Sequence, residues 1–377
     1  MTDLAVDPDL LKLYSFNVFT QLSGAVTAGM IHLGDRLGLY AALATAGGPL
    51  TADELAARCE FDARWVREWA YNQVAAKLIL AHSGTADAGT DADTGIARET
   101  GGERFSLTPE AVAVLASPDH EAFGMGMFHR FPQTMAALEA MPESFRTGLG
   151  HDYDSHGPEG AVGIERSFEP WNRHHLVSDV LPALDGVVEA LSAGIDVADI
   201  GCGAGGAAMM MAAAFPNSRF VGYDISRFAL DRAESKRIDA GLGNVRFVDP
   251  RNEPIPDDGR FEFVTTFDCI HDMTHPQQMM HTIRAALDDD GRWLLVDIKA
   301  RDTLAENVAK NPMAPLMYGI SVLACMSSAM SEPDGAGLGT LGLPASRAEE
   351  MAAAAGFGQF RRLDIDHAIN AFYEVRP

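Results

Sequence analysis

The stretch Asp199-Ile200-Gly201-Cys202-Gly203-Ala204-Gly205-Gly206 constrains this chain most. It follows Ile195-Asp196-Val197-Ala198, which reads as a buried strand, and precedes a run of small residues at 207–214 that reads as a helix. A strand, a glycine turn and a helix start form a corner suited to anions and nucleotides. The glycines let the backbone approach a ligand, and the helix N-terminus offers unpaired amides and a partial positive charge. One helix and strand later, Phe220-Val221-Gly222-Tyr223-Asp224 reads as a second strand ending in an acid, an acceptor for ribose hydroxyls.

Gly201, Gly203 and Gly206 also satisfy the dinucleotide pattern G-x-G-x-x-G, so the glycines alone do not choose a ligand. Three further features do. Asp199 stands two residues before Gly201, where an acid suits an ammonium group and is a poor neighbour for a pyrophosphate. A third strand, Asn244-Val245-Arg246-Phe247-Val248, ends in Asp249, followed by Pro250, where an adenine amino group can be bound. Two strand-like runs, 360–365 and 368–375, close the chain as a hairpin foreign to an ordinary dinucleotide domain.

On these residues, the part of the chain from about 167 to 377 resembles a class I S-adenosylmethionine-dependent methyltransferase. The resemblance implies an α/β fold: a Rossmann-like seven-stranded sheet with a C-terminal antiparallel hairpin. It implies S-adenosyl-L-methionine as cofactor and S-adenosyl-L-homocysteine as product. Asp199, Gly201, Gly203 and Gly205 then hold the methionine end, Asp224 and Ile225 the ribose, and Asp249 and Pro250 the adenine. Phe267, Asp268 and the turn after them close the site.

Composition bounds the rest. A chain of 377 residues with 47% hydrophobic content has room for two domains. A net charge of −24 argues against nucleic acid, since 29 Lys and Arg are spread among 53 acids and form no basic patch. The start, Met1-Thr2-Asp3-Leu4-Ala5-Val6-Asp7-Pro8, lacks the basic and apolar segments of a signal peptide, and no apolar run reaches membrane-spanning length. Cys59, Cys202, Cys269 and Cys325 are scattered without a C-x-x-C pair, which fits a cytoplasmic protein with free thiols.

The expected organisation is an N-terminal helical domain (1–115), a helical connector and loop (116–165) and the α/β domain (166–377) with a lid insertion around 303–345. Residues 9–30 carry Leu10, Leu11, Leu13, Tyr14, Val18, Leu22 and Val26 at helical spacing, more apolar than a surface helix requires. Either this helix packs within its own domain or it packs on a partner subunit. Thr51 with Glu54 spells a capping box, and a further helix runs from 62 through Trp65, Val66, Trp69 and Val74. Strand-like Leu78-Ile79-Leu80 and Arg104-Phe105-Ser106-Leu107 flank a polar insert, 83–103, that reads as a mobile tip. Three helices and a hairpin make a winged-helix unit. Leu33-Gly34-Asp35-Arg36-Leu37-Gly38-Leu39-Tyr40 and Trp65-Val66-Arg67-Glu68-Trp69 resemble the dimerisation domain of small-molecule methyltransferases of actinobacterial type, implying a homodimer. The alternative is a ligand-sensing regulator that uses the winged helix on DNA. A second alternative keeps the donor cofactor and does other chemistry on the same fold.

A fourth strand, 261–267, and a fifth, 293–297, flank a helix at 277–287. Just past the fourth lies Asp268-Cys269-Ile270-His271-Asp272-Met273. His271 is the candidate general base for a hydroxyl acceptor, and Asp272 or Asp268 the group that orients it. The resembling O-methyltransferases carry their histidine after the fifth strand, where this chain reads Asp297-Ile298-Lys299-Ala300, so either His271 replaces it, or catalysis is by proximity alone, or the acceptor is carbon or nitrogen. The acceptor is expected to be a small, apolar or aromatic molecule. Tyr153, Trp171 and His174 are candidates for contacting it, with Met317 and Met326 from the Met-rich stretch 313–330, whose other reading is core packing. No metal is expected from His151, His156, His174 and His175, which lack the i, i+4 helical pair and a cysteine. His367, between the last two strands, reads as a turn histidine.

Overall fold

The computed structural model describes residues 6–83 and 102–377. The chain divides into two compact units, Met1–Phe131 and Pro132–Pro377. The break falls inside the stretch 116–165 expected as a connector. Most of the polar insert at 83–103 lies outside the described residues.

In the first unit, helix Pro8–Arg36 starts at Asp7, whose side chain accepts from the amides of Asp9 and Leu10. Leu10, Leu11, Tyr14, Phe16, Phe19, Leu22 and Val26 of this helix are all more than half exposed, so packing inside the unit does not explain its apolar character. Helix Leu39–Ala44 and strand β1 (Leu50–Thr51) follow. Helix Ala52–Cys59 opens with the capping box as expected: the Glu54 amide donates to the Thr51 hydroxyl, and the Thr51 amide to the Glu54 carboxylate. After helix Ala63–Ala75, β2 (Leu80–His82) and β3 (Arg104–Ser106) pair antiparallel, with β1 on the far side of β3. Tyr40, Leu55, Trp69 and Phe105 fill the core, where the Tyr40 hydroxyl donates to Gln73 at 2.5 Å. The segment expected as one helical connector is instead broken into short helices. Pro142 sits in the first turn of one of them, Met141–Thr147, where a missing amide costs nothing.

The second unit holds β4 (Asp196–Ile200), β5 (Arg219–Tyr223), β6 (Val245–Val248), β7 (Phe261–Phe267), β8 (Leu287–Ile298), β9 (Gln359–Arg362) and β10 (Asn370–Arg376). Their order in the sheet is β6-β5-β4-β7-β8-β10-β9. All neighbours are parallel except β10, which runs antiparallel to both β8 and β9. β8 begins earlier than the apolar run suggests, and Leu287 is strand rather than helix. The register jumps from Leu287 opposite Phe261 to Arg292 opposite Phe263, so a bulge absorbs the intervening polar residues. Buried side chains from both faces pack in two clusters, one around Leu176, Val197 and Phe263, the other around Ile200, Trp293 and Tyr373. The chain leaves β4 outward through β5 and β6, then returns to lay β7 on the other side of β4. That reversal is a topological switch point, and ligands bind at such points beyond the carboxyl ends of the strands. Between β8 and β9 the chain adds helices Leu304–Lys310, Ala314–Leu323 and Cys325–Ala329. Among the described residues no helix is long and apolar enough to cross a membrane.

Candidate active site

The glycine turn sits at the carboxyl end of β4, beside the switch point. The amides of Gly201 and Cys202 both donate to the Tyr223 carbonyl, at 2.8 and 3.0 Å, tying the turn to β5. Gly205 has φ +74°, and a Cβ there would lie 2.4 Å from the Phe247 ring, so only glycine fits. Gly203 has φ +55°, but a Cβ there would meet nothing within 4 Å: its open face is the part of the turn a ligand can approach.

Asp199 is buried on β4, directly opposite Thr265 of β7. Its Oδ1 accepts from the Thr265 hydroxyl at 2.7 Å, while its Oδ2 is sealed from solvent without a hydrogen-bond partner. Burial pushes its pKa up to about 7, the Thr265 bond opposes this, and the charge of Asp224 adds to it. An acid in this condition gains most from a cationic donor placed against it. Asp224 accepts from the Gly203 amide at 2.7 Å and the Ser226 amide at 2.8 Å. Burial raises its pKa and those two amides counter the shift. A carboxylate has about four acceptor positions, so capacity for two hydroxyls remains. Ile225, next in the chain, is exposed.

Asp249 is held by Arg251, whose Nε donates to Oδ1 at 2.9 Å and whose Nη2 donates to Oδ2 at 2.7 Å. The same guanidinium donates to the Ile225 carbonyl at 2.6 Å, and its bonds hold the Asp249 carboxyl below the usual carboxylate range. Arg251 therefore joins the segments following β5 and β6, a link not foreseen from sequence. Pro250 is half-buried beside it.

Across the switch point, β7 ends in Phe267, which packs against the first core cluster. Asp268 follows with φ +50°, rare for a residue with a side chain. His271 lies in the turn Ile270–Asp272 and is buried. Its Nδ1 donates to Asp297 Oδ1 at 2.7 Å. The carboxylate that holds the imidazole is thus Asp297 at the end of β8, rather than Asp272 or Asp268. Burial lowers the imidazole's affinity for a proton, but the Asp297 charge and hydrogen bond, with a contact from Cys325, outweigh it and raise the His271 pKa well above its ordinary value. Asp268 is bonded by the Asn370 amide of β10, and burial and the Asp297 charge push its pKa up to about 7. Asp297, Cys325 and Asn370 were not singled out from sequence. An acid inside the apolar run Trp293-Leu294-Leu295-Val296-Asp297 was a usable signal, because a buried carboxylate needs a purpose. Nothing local marked Cys325 or Asn370.

The expected acceptor contacts divide. Trp171 stacks on His175 with ring centres 4.6 Å apart, meets His367 edge-on at 4.5 Å and packs on Phe372 at 5.5 Å. His367 is therefore half-buried rather than a surface turn residue. Burial first, then Lys299 and His175, push its pKa down to about 4. His174 is exposed. Tyr153 lies in a short helical turn, edge-on to His156. Met317 and Met326 are half-buried on the inserted helices, and the Met317 sulfur accepts from Asn311 at 3.2 Å. The loop before Tyr153 is fastened to those helices, since the His151 amide donates to Ser327 Oγ and the Gly150 amide to the Met330 carbonyl.

The strand order, the terminal hairpin and the glycine corner between two acids define a methyltransferase-type α/β domain. Residues 191–334 match a family model described as a methyltransferase domain. Among curated proteins, the polyketide synthase ThaQ of Burkholderia thailandensis is 31% identical over 107 residues, which covers 28% of this chain and 5% of that much longer protein. Among solved structures, human N-acetylserotonin methyltransferase in complex with S-adenosylmethionine aligns over 100% of this chain and 99% of its own, with TM-score 0.65 and 16% identity. The mitomycin 7-O-methyltransferase MmcR aligns over 98% and 99%, with TM-score 0.66 and 18% identity. An O-methyltransferase of neocarzinostatin biosynthesis, in complex with S-adenosylmethionine and 2-hydroxy-5-methyl naphthoic acid, aligns over 93% and 95%, with TM-score 0.59 and 15% identity. At these identities the likeness is one of fold.

Proposed function

We propose that this chain is an S-adenosylmethionine-dependent methyltransferase that methylates a hydroxyl of a small apolar or aromatic molecule. The observation that carries the reading is Asp199: a sealed carboxylate oxygen without a partner, beside an open glycine turn, at the switch point of the sheet. It fits the ammonium of the donor's methionine end. Asp224 has acceptor capacity left for ribose hydroxyls, and Asp249, with Arg251 moving aside, for the adenine amino group. When bound, the donor supplies a methyl group on a sulfonium, electrophilic without further activation.

What the protein adds is position and a proton acceptor. His271 stands at the end of β7, on the other flank of the switch point from Asp199. Asp297 fixes its Nδ1–H, which leaves Nε2 to take a hydroxyl proton. Solvent is kept from this group by burial of both residues. The naphthoic acid bound to one structural neighbour, and the mitomycin 7-O-methyltransferase name of another, support an aromatic hydroxyl as acceptor class.

The exposed apolar side chains of helix Pro8–Arg36 support a homodimer built on that helix. Two arginines of the first unit are engaged with its own acids, Arg67 with Asp53 and Arg104 with Glu54, which weighs against DNA as a partner. Four free thiols support a cytoplasmic protein.

Calorimetry with S-adenosylhomocysteine, with NAD as the control ligand, tests the cofactor. Binding of the former alone is expected; binding of NAD alone removes the reading. Transfer of labelled methyl groups from the donor to compounds in extracts, followed by mass spectrometry, tests the acceptor class.

A further inference from the structure

The inserted helices bring a nucleophile to the His271–Asp297 pair. Helix Cys325–Ala329 packs on the turn Ile270–Asp272 that carries His271, and its first residue, Cys325, meets the imidazole with its thiol. The insertion grips the same region a second time. The Gly339 amide donates to the His271 carbonyl at 3.1 Å, and the Ala336 amide to the Thr274 carbonyl at 2.9 Å. Nδ1 of the ring is engaged by Asp297 at 2.7 Å, so Nε2 is the nitrogen left for the thiol. Thiol, imidazole and carboxylate thus stand in the order nucleophile, base and orienting group, the arrangement that activates cysteine in covalent catalysis. Asp297, only 2% exposed, also keeps Oδ2 sealed without a partner. That hydrogen-bond position is unfilled, and an N–H or O–H on a molecule held at the ring would fill it.

The other three cysteines lack this company. Burial, with the charges of Asp224 and Asp199, raises the Cys202 thiol well above its ordinary value, and burial with Asp272 and Asp297 does the same to Cys269. Cys59 is half-buried like Cys325, and burial raises its thiol against a smaller opposing effect of Arg58. A thiol in such surroundings is a poor nucleophile. We infer that Cys325 is a covalent attachment site for small electrophiles of the α,β-unsaturated carbonyl class, with His271 as its base and Asp297 as the group that orients the base. Sulfur is a soft nucleophile, and a conjugated carbonyl needs no leaving group to accept it. The thiol proton passes to His271 Nε2 as sulfur bonds the β-carbon. The π electrons move to the carbonyl oxygen as an enolate, and the proton returns to the α-carbon. Nothing leaves and nothing is oxidised. The attachment stands on these three residues alone. On the methyltransferase reading it has a second effect, because the adduct blocks the nitrogen that an acceptor hydroxyl needs.

The test is timed reaction of the full chain with N-ethylmaleimide, read by intact mass and by mass spectrometry of peptides, with S-adenosylhomocysteine binding measured by calorimetry on the same preparations. One fast adduct per chain, on Cys325, is expected, at about ten times or more the rate of Cys59. Cys325→Ser should abolish the fast phase, and Cys59→Ser should leave it. His271→Ala should slow the Cys325 reaction by about tenfold or more, and imidazole added to the buffer should restore part of the rate. Restoration distinguishes a base from a residue that only shapes the pocket. If another cysteine reacts first, if Cys325 reacts equally fast in His271→Ala, or if imidazole restores nothing, the inference is wrong. If the adduct forms as expected and S-adenosylhomocysteine does not bind, the attachment site stands and the methyltransferase reading falls. Should His271→Ala not fold, the order in which the four cysteines react in wild type still decides.

Discussion

His271 Nδ1 and Asp297 Oδ1 lie 2.7 Å apart, both residues buried, at the ends of two neighbouring parallel strands. The pair is coupled: the carboxylate holds the imidazole in one orientation and one tautomer, and raises its affinity for a proton. His271→Ala should lower turnover by roughly 10²–10⁴ with donor affinity nearly intact. Because the folded pKa is raised, the base form accumulates only as pH rises beyond the ordinary histidine range, so wild-type turnover should climb through the alkaline range. The deficit of the variant should shrink where the acceptor ionises by itself. Equal proportional loss of donor affinity and turnover would reduce His271 to a wall of the site.

The same shift has a stability consequence of defined sign. A histidine with a raised folded pKa contributes stability fully below its unfolded value of about 6.5 and loses it as pH rises through the folded value. Melting scans of wild type and Asp297→Asn should therefore differ most in mildly acidic buffer and converge at alkaline pH. A difference that does not change with pH would show that the pair acts by packing alone.

Asp199 behaves in the opposite sense to an ordinary paired acid. Its folded pKa of about 7 lies above the unfolded value of about 3.9, so the ligand-free fold loses stability as pH rises between those values. Asp199→Asn should melt higher than wild type at pH 8 without ligand, with the gap closing toward pH 4. The variant should bind S-adenosylhomocysteine about 10- to 100-fold more weakly, the worth of a charged hydrogen bond. Unchanged affinity, measured calorimetrically, would take Asp199 out of the ligand site.

Two glycines of the turn should fail differently. Gly205→Ala meets the Phe247 ring in a left-handed conformation and should cost about 2–4 kcal/mol of stability, from overpacking and the strained φ together. Gly203→Ala has open space and should cost only about 1–2 kcal/mol, while losing ligand affinity because its Cβ enters the face a ligand approaches. Denaturant unfolding and calorimetry on both variants separate the two effects. Equal destabilisation with equal loss of affinity would contradict the distinction.

The helix Pro8–Arg36 offers the test of assembly. Charge placed on its exposed apolar surface, as in Leu11→Glu with Phe19→Glu, should convert a dimer to a monomer by light scattering while the helix persists by circular dichroism. A dimer that survives both substitutions lies on another surface.

Local physics wrote much of this protein into the sequence. The glycine corner follows from backbone sterics, the capping box at Thr51 and Glu54 from four adjacent residues, and the sheet from apolar runs spaced by helices. Asp199, Asp224 and Asp249 were legible because each ends or interrupts a strand next to a turn. His271 was legible because it follows one. The partner of that histidine was not. Asp272 and Asp268 are its neighbours along the chain, but Asp297 is its neighbour in space, since β7 and β8 lie side by side and the segment between them carries no trace of that pairing. Asn370 reaches the same place from near the chain's end, by the antiparallel return of β10. Turns, caps and strand ends are short-range, so sequence determined them. Which buried charges face one another depends on strand order and register, and only the tertiary structure decided that.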